Sequence, residues 1–99
     1  MKKVGLVGGI GPESTISYYH DIVYGVQKEV GRDFFPDVSI ESIALFKWVD
    51  LCDKKEYDKL VDYTMEPIER LAHSGADFAV LTANTAHLIF DQVHSRSPI

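Results

Sequence analysis

The sequence predicts an α/β fold in which helices cover both faces of a small parallel sheet. Three short apolar runs, at residues 3–7, 38–45 and 78–81, are typical of strands. Their apolar character is continuous rather than alternating, which indicates strands that are covered on both faces. Helical patterns separate the runs, and alternating strands and helices with right-handed crossovers form a three-layer sandwich. We therefore expect a parallel sheet of three to four strands.

The helix after the first strand is predicted by an apolar stripe and by its end signals. Pro12 suits the first turn of a helix, Glu13 favours the positive end of its dipole, and Gly31 suits the position after its last turn. We expect this helix to begin near Gly11 and to bury one apolar face. The apolar positions recur at spacings of three and four: Ile16, Tyr19, Ile22, Val23, Val26 and Val30.

A second helical pattern precedes the third strand. Apolar residues recur at helical spacing over residues 57–72, and the pattern stops before Gly75. Pro67 lies inside this pattern, where proline removes one backbone hydrogen bond and clashes with the preceding turn. We therefore expect a kink or break between residues 64 and 67.

A third helix is predicted to begin after Thr85. Its inner face then carries Leu88, Ile89 and Val93, which are separated by helical spacings. Residues 98–99 resemble the start of a fourth strand.

The length and composition exclude several classes of protein. Ninety-nine residues suffice for one small domain, which we expect to span residues 1–99. A net charge of -5, without a cluster of Lys and Arg longer than a pair, argues against nucleic acid as a partner. No apolar run is long enough to cross a bilayer, and no signal peptide precedes the first strand. We therefore expect a cytoplasmic protein without membrane contact.

The single cysteine, Cys52, cannot form an internal disulfide. Asp50 and Asp53 flank it, and their negative charges should raise the pKa of its thiol. A buried or idle thiol is therefore the better interpretation than a nucleophile.

The loop after the first strand resembles a phosphate-binding turn in part. Residues 9–11 supply a G-x-G pattern, but Ser14 occupies the place of the third glycine of a dinucleotide fingerprint, and no Gly-Lys-Ser/Thr of a P-loop follows. Backbone N–H groups at the start of the helix could still hold a carboxylate or phosphate, with Ser14 and Thr15 nearby. The alternative is a tight strand-to-helix turn, which is the simpler interpretation of this loop when it is taken alone.

The loop after the third strand carries Asn84 and Thr85, which can orient a small polar ligand at the carboxyl edge of the sheet. The alternative is that either residue only caps the next helix. His87 follows, and Asp91 is the nearby acidic residue that could orient its ring.

Two segments together resemble the aspartate/glutamate racemases. Residues 5–15 read G-L-V-G-G-I-G-P-E-S-T and are followed by Tyr18 and Tyr19, which is similar to the opening of that family. The N-T-x-H element of the family's first domain is matched at residues 84–87. The resemblance implies that this chain is the N-terminal half of a two-domain racemase fold. It also implies a ligand cleft between the domains and a homodimer for the full-length protein.

The resemblance implies racemisation without pyridoxal phosphate, metal or any other cofactor, through two groups that exchange the α-proton on opposite faces of the substrate. The family's first group is a cysteine immediately before Asn84, where this sequence has Ala83, whose methyl group cannot transfer a proton. Thr82 offers a hydroxyl one residue earlier. In an extended backbone Thr82 shares a face with Asn84, so we name Thr82 as the candidate catalytic residue.

By the same resemblance, the substrate is a small dicarboxylic amino acid, aspartate or glutamate. The residues expected to bind it are Ile10, Ser14, Lys47, Asn84, Thr85, Ala86 and His87. Lys47 is the candidate partner of the distal carboxylate, against the alternative of a solvated surface lysine.

Two other functions stay open at this point. A carboxylate-binding domain that has lost catalysis with its cysteine is one, and a related dicarboxylate isomerase or decarboxylase is the other. A further cysteine in a Gly-Cys-Thr-Glu-like segment of a longer chain would favour an enzyme.

Overall fold

The computed structural model describes residues 2–31, 35–82 and 89–99, which contain three strands and four helices. The elements in chain order are β1 (Val4–Gly8), α1 (Pro12–Val30), β2 (Val38–Ser42), α2 (Leu45–Asp53), α3 (Tyr57–His73), β3 (Phe78–Leu81) and α4 (Phe90–Arg96).

The described strands form one parallel sheet in the order β2-β1-β3. Val4 of the central strand is in register with Val38 on one side and with Phe78 on the other. Every residue of β1 is buried, as expected for a strand with neighbours at both edges and cover on both faces. The predicted α/β class and its parallel sheet are confirmed.

The two faces of the sheet carry different helices. Side chains alternate along a strand, so Val7 faces one side and Val4 the other. Val7 belongs to the main core together with residues of α2, α3 and α4, and we call this side the α3 face. Val4 borders a groove with Ile22 and Val26 of α1, and we call this side the α1 face.

The main core lies entirely on the α3 face. It is built around α3, whose inner stripe recurs at helical spacing and is almost fully buried. The core residues are Val7, Ile10, Ile43, Trp48, Leu51, Leu60, Val61, Met65, Ile68, Leu71, Ala76, Ile89 and Val93.

Strand β2 is shorter than predicted, and the prediction that it reaches residue 45 is wrong. The strand ends at Ser42, and helix α2 begins at Leu45. Trp48 and Leu51 lie three residues apart and are both buried, so α2 packs one stripe against the core. Residues 43–46 are apolar and continue the run of β2 in the sequence, which concealed the change from strand to helix.

The expected break at Pro67 is absent, because α3 is one continuous helix. Pro67 is buried, so its ring adds to the apolar stripe that holds α3 against the sheet. Packing of such a face supplies most of the stability of helices in proteins and can offset one missing backbone hydrogen bond. The Thr64 hydroxyl also donates to the Leu60 carbonyl oxygen at 2.7 Å within this stretch.

Helix α1 has its predicted ends. It follows Gly11, and the Gly31 N–H closes its last turn on the carbonyl of Gln27 at 2.8 Å. Its predicted apolar face is only partly buried, since Val23 is buried but Ile16 is 67% exposed. Within the described parts of the chain, no helix is long and apolar enough to cross a membrane.

Helix α4 buries Ile89 and Val93, as predicted from their spacing. The start of this helix after Thr85, and the position of Leu88, lie outside the described residues. Residues 97–99 do not join the sheet, and the Ser97 hydroxyl instead donates to the carbonyl oxygen of Ile99 at 2.7 Å.

Candidate functional site

Two glycines shape the loop that leads from β1 into α1. Gly9 has a positive φ of 88°, and a side chain at this position would meet the carbonyl oxygen of Ile43. A Cβ at Gly8 would lie 2.6 Å from a methyl carbon of Thr15. Glycine is therefore required at both positions, because the loop backbone passes against β2 on one side and against α1 on the other.

The ends of the outer strands are both fastened to this loop region. The Ile43 N–H donates to the Gly8 carbonyl at 2.9 Å, and the Thr82 N–H donates to the Val7 carbonyl at 3.2 Å. The residues that leave β2 and β3 are thus held beside the glycine loop. This edge is the carboxyl end of the parallel strands, where ligands of open α/β sheets bind.

Two threonine hydroxyls join the loop to the end of β3. The Gly9 N–H donates to Thr15 Oγ1 at 3.0 Å, and Thr15 Oγ1 lies 3.4 Å from Thr82 Oγ1. The Thr82 hydroxyl donates to the Val7 carbonyl oxygen at 3.0 Å. Since Thr82 gives its hydrogen to Val7, Thr15 is left as the donor between the two hydroxyls.

Thr82 therefore links the end of β3 to β1 and to Thr15 of α1 through hydrogen bonds. It is only 3% exposed, and its hydroxyl hydrogen is engaged by a main-chain oxygen. Among the described residues no base contacts this hydroxyl, and its hydrogen is given to the Val7 carbonyl oxygen rather than to a ligand. The structure thus provides a structural role for Thr82, which the sequence named as the candidate catalytic residue.

The start of α1 supplies hydrogen-bond donors to the same edge. Gly11 precedes the helix without a side-chain cap, and Pro12 occupies the first helical position. The N–H groups of Glu13 and Ser14 have no acceptor within the helix, because the first turn of any α-helix leaves its donors unmatched. Together with the helix dipole they favour a negatively charged group.

A cleft of about 410 Å³ opens beside these donors. Residues of the glycine loop and α1 form one part of its lining, residues of α2 form another part, and Thr82 completes the described lining. This volume lies within the range of small-molecule sites in proteins. The lining residues are Ile10, Gly11, Ser14, Tyr18, Leu45, Trp48, Val49, Cys52, Asp53 and Thr82.

The predicted site residues are only partly brought together. Ile10, Ser14 and Thr82 line the cleft. Lys47 is outside this lining, with its ammonium group 4.4 Å from the centre of the Tyr63 ring on α3. The predicted ligands Asn84, Thr85, Ala86 and His87, together with Ala83, lie outside the described residues.

Sequence reasoning missed the wall that α2 contributes. Leu45, Trp48, Val49 and Cys52 are spaced as one stripe of a helix, and this spacing is the signal that could have identified the wall. The stripe was hidden because Leu45 was assigned to the second strand and residues 46–48 to the loop after it.

Cys52 is a neutral thiol in this wall. Burial raises its pKa, and the negative charge of Asp53 raises it further. The direction expected from the sequence is therefore confirmed, with burial as the larger cause.

The geometry of this edge agrees with comparisons to known proteins. The family model for Asp/Glu/hydantoin racemase matches residues 7–99 of the chain. The chain belongs to this racemase family. The family accounts for the resemblance noted in the glycine loop and in the segment at residues 84–87.

Individual relatives extend the comparison. The broad specificity amino-acid racemase RacX of Bacillus subtilis (strain 168) is 25% identical over 93 residues, which cover 91% of this chain and 40% of that protein. A candidate Asp/Glu racemase from Yersinia pestis, known from its crystal structure, has 28% sequence identity to this chain. The two structures superpose with a TM-score of 0.92 over 96% of this chain and 41% of that one.

An aspartate racemase homologue from Pyrococcus horikoshii OT3 is 29% identical with a TM-score of 0.84, over 100% of this chain and 43% of that one. The racemase-family chain described here thus spans about two fifths of the length of these relatives.

Proposed function

We propose that this chain forms one wall of an amino-acid site at which racemisation proceeds by two-base proton transfer without a cofactor. The observation that carries the proposal is the fastened glycine loop that leads into α1, where the N–H groups of Glu13 and Ser14 lack partners within the helix and Ser14 lines the cleft. These donors suit the α-carboxylate of an amino acid. Membership of the racemase family supports the reaction class.

The reaction needs an acid/base group on each face of the α-carbon. One group removes the α-proton from one face, and the other returns a proton to the opposite face, so that no net oxidation occurs. Ala83 stands where the family has its first cysteine, and the Thr82 hydroxyl is engaged by Val7. We infer that the described residues of this chain bind and orient the substrate, and that both acid/base groups are supplied from outside the described residues.

A second candidate function is a carboxylate-binding domain without catalysis. Two observations favour it: the methyl side chain at Ala83, and the hydrogen bond that withdraws the hydroxyl of Thr82. Such a domain would keep the loop and the α1 donors, because these require no proton transfer.

Aspartate and glutamate are the substrates that the resemblance suggested, and a homodimer of the full-length protein is the assembly that it suggested. The distal carboxylate of either substrate requires a cationic partner, for which Lys47 was the candidate. Lys47 instead contacts the ring of Tyr63 and does not line the cleft, so the described lining contains no cationic partner for that carboxylate. The choice of side chain is therefore treated separately below.

Exchange of the α-proton in deuterated water, followed by NMR, tests the proposed reaction. The 99-residue chain by itself is expected to give no exchange with L- or D-amino acids, because one wall cannot place groups on both faces of the α-carbon. Exchange by the purified chain that is lost in Thr82→Val would contradict this view and make Thr82 a working acid/base.

A fusion to the C-terminal remainder of the Yersinia pestis relative separates a racemase from a binding domain. If this chain is a racemase half, a fusion that folds should incorporate deuterium, and Gly9→Val in the same fusion should abolish incorporation by blocking the loop. A fusion that binds an amino acid without exchange would instead support the binding domain.

A further inference from the structure

We propose that the α2 wall, defined as Leu45, Trp48, Val49 and Cys52, makes the site selective for amino acids with an uncharged apolar side chain over aspartate and glutamate. The inference rests on the amino-acid site proposed above and specifies its substrate class. It identifies α2, rather than a cationic residue, as the element that determines specificity.

The α2 wall is an apolar stripe that lines the same cleft as Ser14 of α1. Its members are spaced by three and four residues and therefore share one side of the helix. Trp48 is buried at the back of the wall, whereas Val49 is 39% exposed at its surface. A substrate held by its α-carboxylate at Ser14 could extend its side chain along this stripe, where a hydrocarbon group gains from leaving water.

The electrostatic character of the cleft disfavours a second carboxylate. Asp53 supplies the one carboxylate in the described lining, at the end of the α2 wall, and no Lys, Arg or His belongs to that lining. Among the described lining residues, a distal carboxylate would find no cationic partner to compensate for its lost hydration, and it would be repelled by Asp53.

The nearby lysines are engaged outside the cleft. Lys47 contacts the ring of Tyr63, and the Lys54 ammonium pairs with the Asp50 carboxylate at 3.1 Å. Each of these contacts lies outside the cleft lining. Neither lysine, as placed, neutralises a distal carboxylate at the α2 wall.

The fluorescence of Trp48 provides a direct probe, because Trp48 is the single tryptophan of the chain and lies in the α2 wall. We would titrate the chain with leucine, glutamate and lysine, using both enantiomers of each at equal ionic strength. Leucine is expected to bind at least about tenfold more tightly than glutamate, since the site offers glutamate repulsion instead of an ion pair.

Two substitutions on α2 form a matched pair. Val49→Lys places a cation in the cleft and should reduce the preference for leucine by about fivefold or more. Phe46→Lys adds the same charge at a position that is 85% exposed and outside the lining, and it should change the preference by less than about twofold.

The remaining outcomes separate this inference from the proposed function. Glutamate binding as tightly as leucine, or lysine binding more tightly than leucine, would overturn the selectivity of the α2 wall while leaving an amino-acid site in place. Absence of any Trp48 response to all three amino acids at millimolar concentrations would overturn the amino-acid site itself, and the selectivity with it.

Discussion

Among the described residues, three helices close the α3 face of the sheet, whereas one helix, α1, covers the opposite face and leaves apolar side chains of the outer strands exposed. On the α3 face, Ile68 and Leu71 are almost completely buried. On the α1 face, Ile40 and Phe78 remain exposed on the outer strands. The difference shows that the described helices cover the outer strands more completely on the α3 face than on the α1 face.

The cleft lies at the carboxyl edge, where these two faces meet. Its α2 wall belongs to the well-packed side, while Ser14 and Tyr18 belong to the exposed helix α1. The site therefore combines an apolar wall that is anchored in the core through Trp48 with a more exposed helix. Substitutions that act on one face and not on the other test this view.

The largest expected effect comes from a matched pair of isoleucines. Ile68→Ala on the α3 face should lower the free energy of unfolding by about 2–5 kcal/mol, because it leaves a cavity in the core. Ile16→Ala on α1 should change it by less than about 0.5 kcal/mol, since the side chain is already exposed. Urea denaturation followed by circular dichroism measures both, and equal losses would contradict the contrast between the faces.

A second prediction concerns the glycine loop. Gly9→Ala should destabilise the chain by about 1–3 kcal/mol, because alanine is strained at this positive φ and its methyl group meets Ile43. Gly25→Ala is the control within α1, where a Cβ has open space and should stabilise the helix by about 0.5–1 kcal/mol. Thermal unfolding of both variants checks the pair, and a Gly9→Ala chain as stable as the original would show that the loop is not constrained.

The smallest effect is on the reactivity of the thiol. Burial and Asp53 raise the pKa of Cys52, so its alkylation by iodoacetamide near neutral pH should be slower than that of a free cysteine. Asp53→Asn should accelerate alkylation modestly, because it removes the smaller of the two causes. A rate in the original chain that equals that of free cysteine would contradict the neutral, partly buried thiol.

The same raised pKa has a small effect on stability at alkaline pH. A thiol whose folded pKa lies above its unfolded pKa stabilises the folded state while it is protonated. This contribution is present below the unfolded pKa and is lost as the pH rises through the folded pKa. Cys52→Ala should remove this part of the alkaline slope in urea titrations.

Much of the fold could be predicted because its signals are local. The apolar run of β1, the turn before Pro12 and the end of α1 at Gly31 are visible in the sequence, and the structure has them there. The predicted burial of Ile16 and Val30 did not follow, because periodicity identifies an apolar face without revealing whether another layer covers it.

The site was less predictable because its decisive contacts are distant in sequence. Thr15 and Thr82 are 67 residues apart, so no local pattern shows that their hydroxyls meet. Lys47 was chosen for its position after β2, but α2 begins at Leu45 and directs that lysine toward Tyr63. The missed start of one helix therefore changed the expected chemistry of the cleft.

The most direct test of the central claim is to map where an amino acid binds on the chain. Backbone amide signals of the ¹⁵N-labelled protein would be followed during titration with leucine. Binding of leucine in the cleft should shift the amide signals of Gly9, Ser14 and Val49. The signals of Val26 and Phe78 on the α1 face should stay unchanged. Shifts confined to the α1 face, or no shifts at millimolar leucine, would contradict the central claim.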